Sequence, residues 1–478
     1  MRLMLTKPQM SPPPASLPRE IKFRPPASLV INKRNARVHP KRQIRKIANS
    51  IAAFGQLVPI VIDENGVVLK GHATLEAAKT LKLATVPTVT VSGLSEERKR
   101  AFMIADNRSA QDAGWNYEIL AREFDELADL LQPIELDLTI TGFEPAEIDF
   151  VLADRGDSNS DPGDALPDFL QNTVTRPGDL WCLRDHRILC GDARSPSDLD
   201  TLMAGAPAMM VFTDPPYNVR IAGHARGRGR QKHREFAFAS GEMSEKEYSR
   251  FLTDSCRNIA RVCADGAIAF VCSDWRHIEP MLKAGRTTFT ELKNLIVWNK
   301  TSPGQGTFYR SQHELILAWK LGEGPHVNAF GLGQHGRMRS NVWTYPGINS
   351  FRAGRDDELA MHPTVKPVAL IADAIRDCSI RGNVVLDVFL GSGTTVMAAE
   401  KLGRRGFGIE YDPAYVDVSI RRWQQYTKAD AVLLGDGRTF EEVEAERIAG
   451  AASSPDTAPE RAEPRGGGNV PTLSGADQ

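Results

Sequence analysis

VVLDVFLGSGTTVMAAEKLGRRGFGIEYD, residues 384–412, reads as a strand, a turn, a helix and a second strand. VVLDVF is apolar apart from Asp387, the composition of a strand buried between two layers. Gly391-Ser392-Gly393 supplies a tight turn at which backbone can approach a ligand, and the chain from Thr394 onward is helical in character. The following strand, FGI, ends in Glu410, nineteen residues after Gly391. An acid at that separation from a glycine turn is placed to accept hydrogen bonds from ribose hydroxyls. The third glycine of a dinucleotide fingerprint is missing, with Thr395 and Val396 in its neighbourhood, which argues against a nicotinamide or flavin enzyme.

The same alternation of short apolar strands and helical stretches continues from about 175 to 430, the pattern of a parallel sheet covered on both faces. Within it lies AMMVFTDPPYNV, residues 208–219. Met209 to Phe212 form a short buried strand, and Asp214-Pro215-Pro216-Tyr217 follows at its carboxyl end, where open parallel sheets place their active sites. The two prolines fix φ and remove two backbone donors, leaving a rigid loop with outward carbonyls.

These residue types suit one chemistry. An exocyclic amine of adenine or cytosine is a poor nucleophile because its lone pair is delocalised into the ring. Two acceptors aimed at its N–H bonds, here the Asp214 carboxylate and the Pro215 carbonyl, favour a tetrahedral nitrogen with a free lone pair. Tyr217 offers a face on which an extruded base can stack. Asp214 then stabilises the positive charge that develops on nitrogen.

Two further pieces sit near these motifs. His362-Pro363-Thr364-Val365-Lys366-Pro367 precedes the cofactor strand and could present Lys366 to a carboxylate. Asp192, in ILCGDAR, follows another apolar strand and could accept from an adenine amine; either could equally be a turn residue or a surface charge.

Taken together, the GD, DPPY, HPTxKP and FxGSGTT segments resemble the beta class of DNA amino-methyltransferases, over roughly residues 180–425. The resemblance implies an α/β, Rossmann-like, S-adenosylmethionine-dependent methyltransferase with permuted motif order, DPPY preceding the glycine turn. It implies S-adenosylmethionine as cofactor, held by Asp192, Thr364, Lys366, Asp387, Phe389, Gly391, Ser392, Gly393, Thr394 and Glu410. Asp214, Pro215, Pro216 and Tyr217 are the implied catalytic group. Double-stranded DNA is the implied partner, contacted by a target-recognition region of about 220–360 that offers Arg220, Arg226, Arg228, Arg230, Arg310, Arg337 and Arg339. DPPY resembles adenine enzymes more often than cytosine ones, so adenine N6 is expected; the alternatives are cytosine N4, an RNA or protein methyltransferase, and a non-catalytic ParB-like DNA-binding protein. A homodimer is left open.

Outside that region, residues 1–20 are proline-rich and expected to be disordered. Residues 21–150 read as a smaller α/β module: a helix through Ile44, Ile47, Ile51 and Phe54, a hairpin of LVPIVI and VVLK, a helix at GHATLEAAKTLKL, and a strand at VPTVTV. KIANSIAAFGQLVPIVID and GHATLEAAKTLKL resemble the amino-terminal domain of ParB-like partition proteins, which implies binding of DNA or of a nucleotide. Gly71-His72-Ala73-Thr74 lacks the arginines of that family's nucleotide motif. An acidic Gly/Pro/Ser-rich stretch at 151–174 reads as a linker, and 447–478 as a disordered tail.

Composition sets the remaining bounds. Hydrophobic content of 41% with 25% charged residues describes a globular chain, and no apolar run approaches the roughly 20 residues of a membrane helix. Six cysteines without a CxxC pair argue against a disulfide framework or a zinc site and fit a reducing cytoplasm. The net charge of −1 conceals two basic stretches: twelve Lys or Arg against Glu20 in residues 1–47, and six against Glu235 in residues 218–237. Both can neutralise phosphates without reading sequence.

Overall fold

A computed structural model describes residues 20–109, 114–131, 134, 136–152, 162–167, 173–218, 241–303, 308–330, 339–347 and 365–452. Strands β1 (Ile21–Arg24), β2 (Ile60–Ile62), β3 (Val68–Lys70) and β4 (Val86–Thr90) form a sheet in the order β1-β4-β2-β3. The expected hairpin is β2 with β3, closed because Asp63 Oδ1 accepts from the Asn65 and Val67 backbone and Gly66 takes φ +76°. Helices α1 (Lys41–Phe54) and α2 (His72–Thr80) pack against each other beside this sheet, and α3 (Glu96–Ser109) follows it. On α3 the buried Lys99 pairs with Asp63 at 3.0 Å.

After α3 the architecture changes. Helices α4 (Tyr117–Leu131) and α5 (Pro145–Leu152) enclose their own apolar cluster of Leu120, Phe124, Leu138, Ile148 and Val151. The residues read as one module are therefore an α/β sheet followed by a helical unit. Part of the stretch read as a linker is also packed. The Gly163 carbonyl accepts twice from the Arg422 guanidinium, and Asp164 Oδ1 accepts from the Val368 backbone.

The larger body begins with β5 (Leu180–Leu183), β6 (His186–Cys190), α6 (Pro196–Met203) and β7 (Ala208–Thr213). It continues through α7 (Glu245–Val262), β8 (Cys263–Ser273), α8 (Ile278–Thr288), β9 (Glu291–Asn299), β10 (His313–Lys320) and β11 (Val342–Thr344). Then come α9 (Val368–Cys378), β12 (Val384–Asp387), α10 (Thr394–Lys401), β13 (Arg405–Glu410), α11 (Pro413–Thr427), β14 (Val432–Leu433) and α12 (Phe440–Ala452). The strand order is β11-β9-β10-β8-β7-β12-β13-β6-β5-β14. The expectation of a parallel sheet holds for the central run from β8 to β6, whereas β10 runs antiparallel to both β8 and β9, and β5 antiparallel to β6. Among the described residues, no helix separates β9 from β10, nor β5 from β6, which suits antiparallel pairing.

Helix α7 shows how the sequence buries one face. Tyr248, Phe251, Leu252, Cys256 and Ile259 recur at helical spacing and are buried, and Ser244 with Glu247 forms a capping box at the start. Two apolar clusters, one on each side of the sheet, hold the helices in place. The tail expected from 447 instead begins inside α12, where Arg447 donates to the Val174 carbonyl and pairs with Asp179. Among the described residues, no helix is long and apolar enough to cross a membrane.

Candidate active site

From β7 the chain proceeds to β8 on one side, and from β12 to β13 on the other, so the strand order reverses between β7 and β12. A crevice opens at such a point outside the carboxyl ends of the strands. Both motifs lie there. Asp214 to Tyr217 follow β7, and Phe389 to Ser392 follow β12, lining one pocket with Lys366, Thr394 and Glu410.

The glycine turn is set by backbone geometry. Gly391 and Gly393 take φ +56° and +83°, and a Cβ on Gly393 would lie 2.8 Å from Ser419 Oγ. Gly393 thus serves the close approach of α11 more than the pocket wall. The Gly391 backbone N–H donates to Glu410 Oε2 at 2.8 Å, and Asp412 N–H donates to Oε1 at 2.9 Å. Burial nevertheless pushes the Glu410 carboxyl up to about 7 against those two hydrogen bonds. Arg422, itself buried, donates to the Ser392 carbonyl and hydroxyl and to Thr394 Oγ1, which locks the turn from behind. This arginine carried no motif signal in the sequence.

On the opposite wall Tyr217 donates its hydroxyl to Asp214 Oδ1 at 2.6 Å, an orientation the stacking role did not foresee. Lys366 Nζ donates to Asp214 Oδ2 and lies 3.3 Å from Glu314 Oε2. Burial and the Glu314 charge raise the Asp214 carboxyl, while Lys366 and Tyr217 oppose them. Burial also raises Glu314, but the Lys366 and Lys300 ammonium groups outweigh it and hold that carboxyl at about 2. The loop is braced from outside by Tyr248, whose hydroxyl donates to the Pro216 carbonyl at 3.1 Å. Neither Glu314 nor Tyr248 belongs to a short motif; each reaches the site from a distant element.

The other expected residues find the following partners. Lys366, expected to meet a carboxylate, is held between two of them, Asp214 and Glu314, and lines the pocket beside Asp214. Asp387 borders the pocket, but its oxygens accept from Thr213 Oγ1, the Phe389 backbone and Thr395 Oγ1, tying β7, β12 and α10 together. Asp192 pairs with Arg194 at the surface beside β6. Arg339 is turned inward: it pairs with Asp377 and Asp373 and stacks on Trp343. Arg310 is exposed beside Phe308 and Tyr309, in the loop between β9 and β10 at the same sheet edge as Asp214. Arg220, Arg226, Arg228, Arg230, Arg337 and Thr364 lie outside the described residues. At the start of the basic stretch, the Asn218 side chain bonds Gly241 and Met243, bringing 218 beside 241–243.

Residues 208–421 match a family described as DNA methylase, spanning the Asp214 loop, the glycine turn and Glu410. The chain carries a DNA methylase domain. Ahead of that domain, residues 118–177 match the ParB-methyltransferase helix-turn-helix domain, covering α4, α5 and the packed stretch around Gly163. The chain is 27% identical over 229 residues to the type II methyltransferase M.HinfI of Haemophilus influenzae, covering 45% of this chain and 63% of that protein. It is 39% identical over 87 residues to the type II methyltransferase M.ScaI of Streptomyces caespitosus, covering 18% of this chain and 29% of that protein. The chain thus spans less than two thirds of the length of either relative. Among solved structures, the M1.HpyAVI–SAM complex is matched with a TM-score of 0.37 and 19% identity, over 49% of this chain and 97% of the other.

Proposed function

We propose that this methylase transfers a methyl group from S-adenosylmethionine to the exocyclic N6 amine of adenine in double-stranded DNA, by direct attack from a base flipped out of the duplex. The observation that carries the reading is one pocket lined by both the Asp214 loop and the Gly391–Glu410 pair. Its walls fit the cofactor: a glycine turn that brings backbone close, a carboxylate at Glu410 for ribose hydroxyls, the Phe389 ring, and Asp214 opposite. When bound, the cofactor supplies an electrophilic methyl group.

The remaining steps belong to this chain's residues. Asp214 and the Pro215 carbonyl accept from the two amine hydrogens, which frees the nitrogen lone pair for attack. The Asp214 carboxylate then stabilises the cation on nitrogen and takes a proton from it. Tyr217 and Tyr248 hold the loop in register through Asp214 and the Pro216 carbonyl. The basic stretch that follows Asn218 in the sequence carries charge that can neutralise phosphates. The ParB-type helical unit serves as an accessory DNA-binding or docking module, and the enzyme works in the cytoplasm as a modification methyltransferase that does not itself cleave DNA.

Methylation-sensitive long-read sequencing of DNA from cells expressing wild type and Asp214→Ala tests this directly. N6-methyladenine in one short sequence motif, absent with the variant, is the expected result. Modified cytosine in that motif would move the target to N4, and no modified base from a folded, cofactor-binding protein would overturn the reading.

A further inference from the structure

The carboxylate that must receive the target amine already has a donor on each oxygen. Tyr217 donates to one Asp214 oxygen and the Lys366 ammonium to the other. Lys366 is only 5% exposed, so its head group has few alternative partners. Glu314, at the start of β10, places Oε2 3.3 Å from Lys366 Nζ. That oxygen is buried and accepts no hydrogen bond among the described residues, while Oε1 accepts from Lys300. A buried carboxylate oxygen without a donor is costly, and the nearby ammonium is the group that can satisfy it. Trp298, which pairs with Glu314 across β9 and β10, lies 5.8 Å from Lys366 Nζ and 4.7 Å from Lys300 Nζ, adding a cation-binding face beside the glutamate.

Methyl transfer places positive charge on the amine nitrogen against Asp214. An ammonium on the same carboxylate repels that charge and weakens the acceptor. Asp214, Glu314, Lys300 and Lys366 form a balanced group of two carboxylates and two ammonium ions, so a shift of Lys366 from one carboxylate to the other leaves the buried net charge unchanged. We propose that Glu314 is a positioning residue that draws Lys366 off Asp214 as the base enters, releasing the Asp214 carboxylate to the amine. This rests on the methyl-transfer reading above.

The test is single-turnover methyl transfer from labelled S-adenosylmethionine to unmethylated genomic DNA, with cofactor affinity measured by calorimetry on each protein. Glu314→Gln keeps the shape but not the charge; it should bind cofactor as wild type does and transfer about tenfold more slowly or worse. Glu314→Asp, which keeps the charge, should recover part of that rate. Lys366→Met added to Glu314→Gln should transfer faster than Glu314→Gln alone, because the competitor for Asp214 is gone. A wild-type rate in Glu314→Gln, a loss of cofactor affinity with it, or a double variant no faster than the single one would overturn the proposal while leaving methyl transfer intact. No transfer by wild type on any DNA would instead remove the methyl-transfer reading and this inference with it.

Discussion

Arg404 and Asp149 face each other as a two-pronged buried ion pair, with N–O distances of 2.8 and 2.6 Å, although 255 residues separate them in the chain. Asp149 sits on α5 of the helical unit, and Arg404 precedes β13 of the catalytic sheet. Arg404 also donates to the Leu402 and Ser379 carbonyls and to Ser379 Oγ, so its guanidinium is fully engaged. Removing one partner strands a buried charge. Asp149→Ala should therefore destabilise the chain by about 3–5 kcal/mol, and Asp149→Ala with Arg404→Met should recover much of it. Urea unfolding of both proteins checks this; a single-variant loss below about 1 kcal/mol would mean the pair contributes little.

The same docking bears on where the chain can be cut. A chain starting at residue 114 keeps α4, α5 and the packed Gly163–Asp164 stretch, whereas one starting at 173 leaves Arg404 and Arg422 without those partners. The longer fragment should purify folded and bind cofactor, and the shorter should melt several degrees lower or aggregate. Equal melting temperatures would show that the helical unit sits on the catalytic body without supporting it.

Asp214→Ala should lower methyl transfer by about 100-fold or more while leaving cofactor affinity near wild type, since the carboxylate acts on the amine and not on the cofactor. Lys366 retains Glu314 as a partner in that variant, so the fold should tolerate the change. Rate and calorimetric affinity measured on one preparation separate the two effects, and near-normal turnover would end the assignment.

Cofactor binding should depend on pH through Glu410. Its carboxyl is raised by burial from 4.5 to about 7, and ribose hydroxyls favour the ionised form. Below about pH 7 binding must release a proton, so Kd should rise towards roughly tenfold per pH unit, and above that it should level off. The stability sign is opposite. A raised folded-state pKa makes this group's contribution greatest below about 4.5, and that contribution is lost as pH rises through 7. A flat Kd between pH 5.5 and 8 in wild type, or a dependence unchanged in Glu410→Gln, would assign the titration elsewhere.

The sequence by itself determined the central strands, the glycine turn, the Asp214 loop and the hairpin of the amino-terminal sheet, because each is written in contiguous residues. Apolar runs set the strands, positive-φ glycines set the turn, and two prolines set the loop. The DNA methylase match over 208–421 agrees with that reading. Only the tertiary structure decided which partners charged side chains would find. Lys366 and Glu314 are 52 residues apart and meet at Asp214; Arg339 turns inward to Asp377; Arg422 reaches back to Gly163. It also decided that the stretch at 162–164 packs and that α12 runs past 447. The physical reason is the same in each case. A polar segment looks solvated until folding brings a complementary charge or donor within about 3 Å, and that proximity depends on sheet order, which no local pattern encodes.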